Sequence, residues 1–358
     1  MLVVLALGVQ PARGQQHDAA QQPTDQPVYP TLHIAGFGDI DFAQTKYVEG
    51  PRGFSLGQFV LHMTSELSPR VSFFGEISLT ARPDAGTGTP PATGFNAEVE
   101  RMILRFDESD QFKVSFGKYH TPINWWNTAF HHGQWLQTTI ARPEMVQFGG
   151  KFLPVHFVGA LVEGEVPAGG LNLNYQAGFG NGRGSVISRA GDAGDNNGYH
   201  ATVFNVFSKP DRFYPLQVGG SAYFDKITLT NGQNFSERIF GGHAVWTRED
   251  PELIFEVAAV RHEQLDSALI TWNHAYYLQA AYRLPQLNRV KPYFRFEHIG
   301  VNVMDAVFVG VPNLDGSTVG LRFDASQFAA IKGEYRNWDR GSGQPRNYGG
   351  FAQICFTF

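Results

Sequence analysis

Residues 348–358 read YGGFAQICFTF, and this stretch decides the fold class. Successive side chains of an extended chain point to opposite sides. The apolar residues at its end therefore share one face, and the residues between them share the other. The apolar face consists of Ile354, Phe356 and Phe358. Such alternation predicts a β-strand with one apolar side.

Segments of this kind recur along the chain after residue 30, and no stretch has a useful length of helical periodicity. The predicted strands are 31–42, 54–67, 71–81, 95–106, 112–119, 155–166, 170–181, 198–209, 214–226, 236–247, 252–262, 272–284, 290–299, 315–324, 328–338 and 348–358. Residues 145–152 also have strand character, but counting them would place the long connection 182–197 among the short turns. We therefore assign 145–152 to a loop, which leaves sixteen strands.

The connections between these strands alternate between tight turns and long polar loops, which is typical of a transmembrane barrel. Tight turns are predicted at 68–70, 167–170, 248–251 and 285–287. Periodicity alone does not distinguish a membrane barrel from a soluble sandwich, because both alternate polar with apolar faces. Strand number, unequal connections and aromatic residues at strand ends favour an all-β fold, a transmembrane antiparallel β-barrel of sixteen strands over residues 31–358. Both ends of the barrel chain then lie on the periplasmic side.

Composition narrows the function classes. A single cysteine excludes a disulfide scaffold, a zinc ribbon and an iron–sulfur protein. The net charge of -5 gives no general attraction to nucleic acid, so no nucleic-acid partner is expected. Motifs of hydrolases, metalloproteases and nucleotide-binding enzymes are missing from the sequence, so we expect neither an enzyme nor a cofactor.

The first residues predict export. Residues 1–9, MLVVLALGV, form an uncharged apolar run, and Ala12 and Gly14 fit the small residues of a cleavage site. We therefore expect a signal peptide over 1–14 and a flexible periplasmic segment, rich in polar residues and proline, over 15–30. The apolar run is too short for a membrane-spanning helix.

Two motifs resemble known proteins. Residues 351–358, FAQICFTF, resemble the C-terminal strand of Gram-negative outer-membrane proteins, which alternates apolar residues and ends on Phe. Residues 114–122, VSFGKYHTP, resemble the G-[KR]-[FY]-x-[ST]-P segment of the porin family that includes the phosphate-selective and polyphosphate-selective porins.

The resemblance implies an integral barrel among outer-membrane lipids, water-filled, built from sixteen strands and often a homotrimer, with a long loop folded into the lumen. It also implies that the barrel-assembly machinery reads the last strand through Phe358. Phosphate selectivity is not carried over, because the predicted lumen contains both signs of charge and not a ladder of lysine and arginine.

The longest connection, 120–154, is the candidate constriction. It contains three tryptophans and no charged residue before Arg142, and such a loop is costly to leave in water. It is expected to fold toward the lumen and narrow the pore; a contact with a neighbouring subunit and a cap over the barrel mouth remain open. The candidate constriction residues are Trp125, Trp126, His131, His132, Trp135 and Arg142.

Charged side chains on the predicted inner face are candidates for setting ion selectivity. They are Asp39, Asp41, Glu76, Arg101, Arg105, Lys113, Glu256, Arg295, Glu297, Arg322, Lys332, Glu334 and Arg336. Since both signs are present, neither an anion nor a cation preference is predicted.

The histidines of the long connection do not predict a metal site. His131 and His132 are adjacent, so on an extended chain they point apart, and no cysteine or carboxylate completes a ligand set with them and His120. We therefore expect no metal.

The sequence favours an outer-membrane porin through which small hydrophilic solutes or ions diffuse passively. Two alternatives stay open. An outer-membrane hydrolase would need a serine, a histidine and a polar third group together on the lipid-facing wall. A soluble secreted β-protein that binds carbohydrate would need no membrane at all.

Overall fold

The computed structural model describes residues 28–46, 52–81, 94–130, 132–147, 151–188, 191–341 and 343–358. The strands are β1 (His33–Thr45), β2 (Arg52–Ser68), β3 (Val71–Ala81), β4 (Phe95–Ser109), β5 (Phe112–His120), β6 (His156–Val166), β7 (Leu173–Asn181), β8 (Ala201–Ser208), β9 (Leu216–Thr228), β10 (Asn234–Trp246), β11 (Glu252–Gln264), β12 (Ile270–Ala281), β13 (Val290–Gly300), β14 (Leu314–Asp324), β15 (Ala329–Asp339) and β16 (Asn347–Thr357). The helix α1 (Trp126–Phe130) and three short 3-10 helices, Glu144–Val146, Asp211–Phe213 and Pro285–Leu287, lie between strands.

These strands form one closed antiparallel barrel, which confirms the predicted fold class. Each strand pairs with its neighbours in the sequence, and β1 pairs with β16 to close the ring. The assignment of 145–152 to a connection agrees with the structure, because Glu144–Val146 forms a 3-10 helix and the residues described between β5 and β6, which omit 131 and 148–150, contain no strand. The predicted signal peptide, 1–14, and the predicted flexible segment up to residue 27 lie outside the described residues.

The two faces of the barrel have opposite polarity to those of a soluble protein. In β12, the exposed positions include Ile270, Trp272 and Leu278, whereas Asn273 and Gln279 are buried. Large apolar side chains are likewise exposed on most other strands, for example Phe294 on β13 and Ile354 on β16. An apolar outer face with a polar inner face is the pattern of a transmembrane barrel.

Among the described residues, no helix has the length and apolar character needed to cross a bilayer.

One irregularity of the sheet changes which side chains reach the inner face. Between β3 and β4, Glu76 pairs with Arg101, but Ile77 pairs with Val99, so β4 contains one extra residue at Glu100. This is a β-bulge, which interrupts strict alternation. As a result Glu100 and Arg101, although adjacent, both bond to inner-face groups: Glu100 accepts from Ser78 Oγ, and Arg101 donates to Glu76.

Candidate functional site

The connection between β5 and β6, residues 121–155, is here called the β5–β6 segment. Its two ends are tied together: Thr121 N donates to Val155 O at 3.1 Å. Asn127 Nδ2, in α1, donates to both carbonyls, at 3.0 Å to Thr121 O and 2.9 Å to Val155 O. The segment therefore leaves the barrel wall and returns to it at a single fixed point.

The first half of the segment bonds to β9 and β11. Glu256 on β11 is fully buried and accepts from the backbone N–H groups of Trp125 and Trp126, at 2.6 and 2.7 Å. Asn124 donates from its backbone N to Ser221 Oγ and from its side chain to Val257 O, both at 3.1 Å. A carboxylate at the start of α1 satisfies N–H groups that have no partner within the helix.

The second half bonds to β13. The guanidinium of Arg295, which is fully buried, donates to Thr139 Oγ1 at 3.2 Å and to the carbonyl oxygens of Ala141 and Arg142 at 2.8 and 2.9 Å. Arg295 also pairs with Glu297, which accepts from Glu144 N at 2.7 Å. One arginine–glutamate pair thus holds several backbone groups of the segment.

Strands β14 and β15 complete this contact. Arg322 donates to the carbonyl oxygens of Trp135 and Gln137, at 2.7 and 2.8 Å. Lys332 donates to Thr139 O at 3.0 Å, and Glu334 accepts from Ile140 N at 2.9 Å. Six predicted pore-lining residues therefore bind the segment: Glu256, Arg295, Glu297, Arg322, Lys332 and Glu334.

The remaining predicted pore-lining residues lie on β1–β5, except Arg336, which lies on β15. Most of them border one of two cavities. A cavity of about 320 Å³ is lined by Arg101 and Arg105, together with Glu163. A second cavity of about 280 Å³ is lined by Asp39, Asp41 and Arg336 among others. Both cavities touch the β5–β6 segment, the first at Pro122 and Thr128 and the second at Gln134, Ile140, Ala141, Arg142 and Gln147.

Glu76 and Lys113 border neither cavity. Glu76 is fully buried between His62, at 2.9 Å, and Arg101. Lys113 lies at the beginning of β5, with Asp110 Oδ1 3.8 Å from its Nζ, and it stands opposite Glu163 on β6.

The predicted constriction residues are mostly packed. Trp126 is 1% exposed, and the guanidinium of Arg142 lies 5.0 Å from the centre of its ring. Burial lowers the pKa of Arg142 to about 9, and the charge of Glu100 opposes that shift. Trp135 lies under Arg322, at 5.9 Å. Trp125 is half-buried against Phe130, and His131 lies outside the described residues.

The structure brings His120, His132 and His156 together, with one ring nitrogen of each within 4.8 Å of the others. Glu100 Oε2 lies 3.3 Å from His132 Nε2 and 2.9 Å from His156 Nε2. Our expectation that no carboxylate would join these histidines was wrong, because the bulge in β4 turns Glu100 inward. One signal was available in the sequence: His120 and His156 flank the same connection, and they pair across β5 and β6.

A second polar chain, not predicted, fastens other connections to β10 and β11. Arg183 donates to Glu237 at 3.1 Å, Glu237 lies 2.9 Å from His262 Nε2, and His262 Nδ1 lies 2.7 Å from Asp305. Asp305 also accepts from Thr271 at 2.7 Å. Burial opposes ionisation of Asp305, but the bonds from His262, Thr271 and Asn273 outweigh it and lower the pKa of Asp305 to about 2.

The outer wall bears one group that the hydrolase alternative requires, a histidine paired with an acid. His298 Nδ1 lies 2.8 Å from Asp315, and its Nε2 lies 3.2 Å from His274 Nε2. The second nitrogen of His298 therefore meets another histidine instead of a serine. The geometry of these described residues does not assemble a serine nucleophile with its base.

No protein-family model matches the chain, and a search of curated proteins gives no match. Solved structures do match. The anion-selective porin from Comamonas acidovorans is 12% identical, with a TM-score of 0.64 over 92% of this chain and 100% of that one. The outer membrane channel DcaP of Acinetobacter baumannii is 10% identical, with a TM-score of 0.58 over 92% and 97%. The trimer form of OmpT, an outer membrane protein of Vibrio cholerae, is 13% identical, with a TM-score of 0.58 over 92% and 99%. The chain therefore has the fold of outer-membrane porins.

Proposed function

We propose that this chain is an outer-membrane porin through which small hydrophilic solutes or ions diffuse passively, without covalent chemistry. The observation that carries the proposal is the polarity of the closed barrel. Its outer face exposes large apolar side chains, and its inner face holds charged ones. Such a barrel is stable where hydrocarbon covers the outside and water reaches the inside.

The β5–β6 segment is proposed as the constriction of this pore. Strands eight positions apart in a ring of sixteen lie on opposite sides, and β4 and β12 are such a pair. The segment contacts the β2–β4 side, through His132 to Gln58 and Glu100. It also contacts β11 and β13, through Glu256 and Arg295. A connection bonded to both sides of a closed ring crosses its interior and narrows the passage.

The passage would run through the two cavities beside the segment. Arg101, Arg105 and Glu163 border the first, and Asp39, Asp41 and Arg336 border the second. Charged side chains at the narrow part of a pore set which ions and solutes pass. This arrangement does not resemble the basic ladder expected of a phosphate-selective pore, so a general pore is favoured over that branch of the family.

Three further features belong to this proposal. Residues 1–14 would direct export as a signal peptide. The last strand, ending at Phe358, would engage the barrel-assembly machinery. A homotrimer is supported by the trimer form of the similar OmpT structure. The mass of the detergent-solubilised complex, measured by light scattering with the detergent subtracted, would distinguish three copies from one.

Planar-bilayer recording tests the function. The purified barrel should produce stepwise ion conductance, and the reversal potential in a salt gradient should report its ion preference. Heat-modifiable migration in gels would show that the added protein is folded. A folded protein that gives no conductance steps would overturn the proposal, and so would extraction of the native protein without detergent.

A further inference from the structure

We propose that Glu100, His120, His132 and His156 form a binding site for a divalent transition-metal ion of the zinc class, which joins the β5–β6 segment to the barrel wall. Glu100, His120 and His156 belong to β4, β5 and β6, whereas His132 belongs to the segment. The four side chains thus converge from three neighbouring strands and from the connection that crosses in front of them.

The ligand atoms of the three histidines, and those of Glu100 with His132 and His156, are spaced closely enough for a small ion. Two ligands bound to zinc at about 2.0–2.1 Å in a tetrahedron lie about 3.3 Å apart. Glu100 Oε2 is 3.3 Å from His132 Nε2 and 2.9 Å from His156 Nε2. The nitrogens of the three histidines lie within 4.8 Å of one another, so shifts of about 1 Å or less per side chain would bring them to the ideal spacing.

Neighbouring side chains orient two of the proposed ligands, His132 and Glu100, through hydrogen bonds. Gln58 Oε1 lies 3.2 Å from His132 Nδ1 and can only accept a hydrogen bond, so Nδ1 donates and Nε2 is left to face Glu100. Ser78 Oγ donates to Glu100 Oε1 at 2.7 Å, which directs the other carboxylate oxygen toward the histidines. Hydrogen bonds of this kind to metal-binding histidine and carboxylate groups fix the ring orientation and the tautomer.

The ligand types select the class of ion. Imidazole nitrogens suit zinc, copper and nickel, and a set of three histidines with one carboxylate differs from the all-oxygen sites of magnesium and calcium. The side chains of His120, His132 and Glu100 are at most 4% exposed, so the ligands are held away from bulk water.

The surrounding charges nearly balance. Arg101 and Arg142 are the nearby cations: Arg101 is paired with Glu76, and Arg142 lies over Trp126. Glu76 Oε2 in turn lies 3.5 Å from His120 Nε2. Two carboxylates therefore offset the two arginines, so the arginines leave no net positive charge to repel a cation, and the imidazole nitrogens are the donors that the ion would use.

Bound metal would have a mechanical effect. An ion held only when the segment lies against β4–β6 stabilises that arrangement in proportion to the logarithm of its concentration above the dissociation constant. Of the four ligands only His132 lies in the segment, so this one residue makes the position of the segment dependent on metal.

Zinc binding to the purified full-length barrel tests the proposal. The outer-face pair, His274 and His298, is a competing place for zinc, because their Nε2 atoms are 3.2 Å apart. The parent protein for the measurement is therefore the double variant H274A/H298A. After removal of metal with a chelator, the parent should take up one zinc per chain in equilibrium dialysis. Cobalt in place of zinc should give the visible absorption of a tetrahedral nitrogen–oxygen site.

Two variants and one control decide the outcome. Glu100→Gln and His132→Gln should each weaken zinc binding by about tenfold or more, since loss of even an outer partner of a metal ligand costs about 10–100-fold. His243→Gln, which changes a buried inner-face histidine bonded to Gln217, should bind zinc as the parent does. Heat-modifiable migration would show that each variant is folded. The proposal would be overturned if the folded parent bound no stoichiometric zinc, or if the two variants bound zinc as the parent does. The cluster would then be a hydrogen-bonded group of Glu100 and the histidines.

This test is independent of the proposed pore function. Zinc uptake is measured in detergent without conductance, so a barrel that conducts but binds no zinc would contradict only the metal site.

Discussion

The inner wall of the barrel holds charge in two different ways. On the β9–β15 wall, charged side chains such as Glu256, Arg295 and Lys332 are at most 1% exposed and are bonded to the β5–β6 segment. On the β1–β5 wall, Arg101 and Arg105 remain 22% and 39% exposed and border a cavity. The inward-facing charges therefore fall into two sets: one set is bonded to the β5–β6 segment, and the other borders a cavity.

Removing part of the segment should have the largest effect on conductance. Deletion of 124–137 removes the part of the segment that bonds to Glu256 and Arg322, and single-channel conductance should rise by about twofold or more, because a less obstructed sixteen-stranded barrel encloses a wider aqueous channel. Planar-bilayer recording measures it. A folded deletion variant with unchanged conductance would contradict the constriction.

Loosening the segment at one point should have a smaller effect of the same kind. Arg295→Met removes the donor to Thr139, Ala141 and Arg142 and leaves Glu297 buried without its partner. Breaking a buried pair in this way costs about 3–5 kcal/mol. We expect a larger single-channel conductance with more current noise, and faster proteolysis within the segment.

The matched control for this variant is Arg105→Met, which removes the same charge from the other wall. It should leave the protease resistance of the segment unchanged. Equal rates of proteolysis within the segment in both variants would show that Arg295 does not hold the segment more than Arg105 does.

Ion selectivity should change when a charge beside the first cavity is removed. Arg105→Gln removes a positive charge from the first cavity, so the reversal potential should shift toward cations while conductance changes less than in the deletion. Arg212→Gln, on an exposed turn beside Phe213, is the control and should shift nothing. Equal shifts in the two variants would place the ion path away from Arg105.

The smallest expected effect concerns the connection 301–313, which is held by Asp305. The pKa of Asp305 is lowered from 3.8 to about 2, so its contribution to local stability is complete above pH 3.8 and is lost as the pH falls through about 2. Relative to its rate on an unfolded substrate at the same pH, pepsin should therefore cut beside the buried Phe308 faster at pH 2 than at pH 4. His262, Glu237 and Arg183 belong to the same chain of contacts.

Asp305→Asn is the control for the other titrating groups. This variant should already be cut at pH 4, and its rate relative to that on the unfolded substrate should change little at pH 2. A wild-type relative rate that is equal at the two pH values would show that Asp305 does not hold the connection.

The barrel could be predicted from sequence because its signals are local. Alternation such as that of Ile354, Phe356 and Phe358 marks each strand independently, and the alternation of short and long connections fixes the number of strands. Arg295 and Glu334, which the sequence assigns to the inner face, are buried in the structure.

The site could not be predicted in the same way, because it depends on contacts between residues far apart in the sequence. Arg295 meets Ala141 across 154 positions, and no periodicity encodes that pairing. The bulge at Glu100 has no signature in simple alternation, so Glu100 is not among the predicted inner-face residues. Burial of Trp126 and Arg142 likewise follows from how the segment packs, not from their residue types.

The double hydrogen bond of Asn127 has a consequence for how such a barrel can change over evolution. Because the amide of Asn127 joins Thr121 O and Val155 O, the two ends of the segment are held together by a residue near its start, independently of the residues between Asn127 and Val155. We expect residues 128–154 to tolerate insertion and deletion in related proteins. Such changes would alter the width of the pore and leave the pairing of β5 with β6 intact.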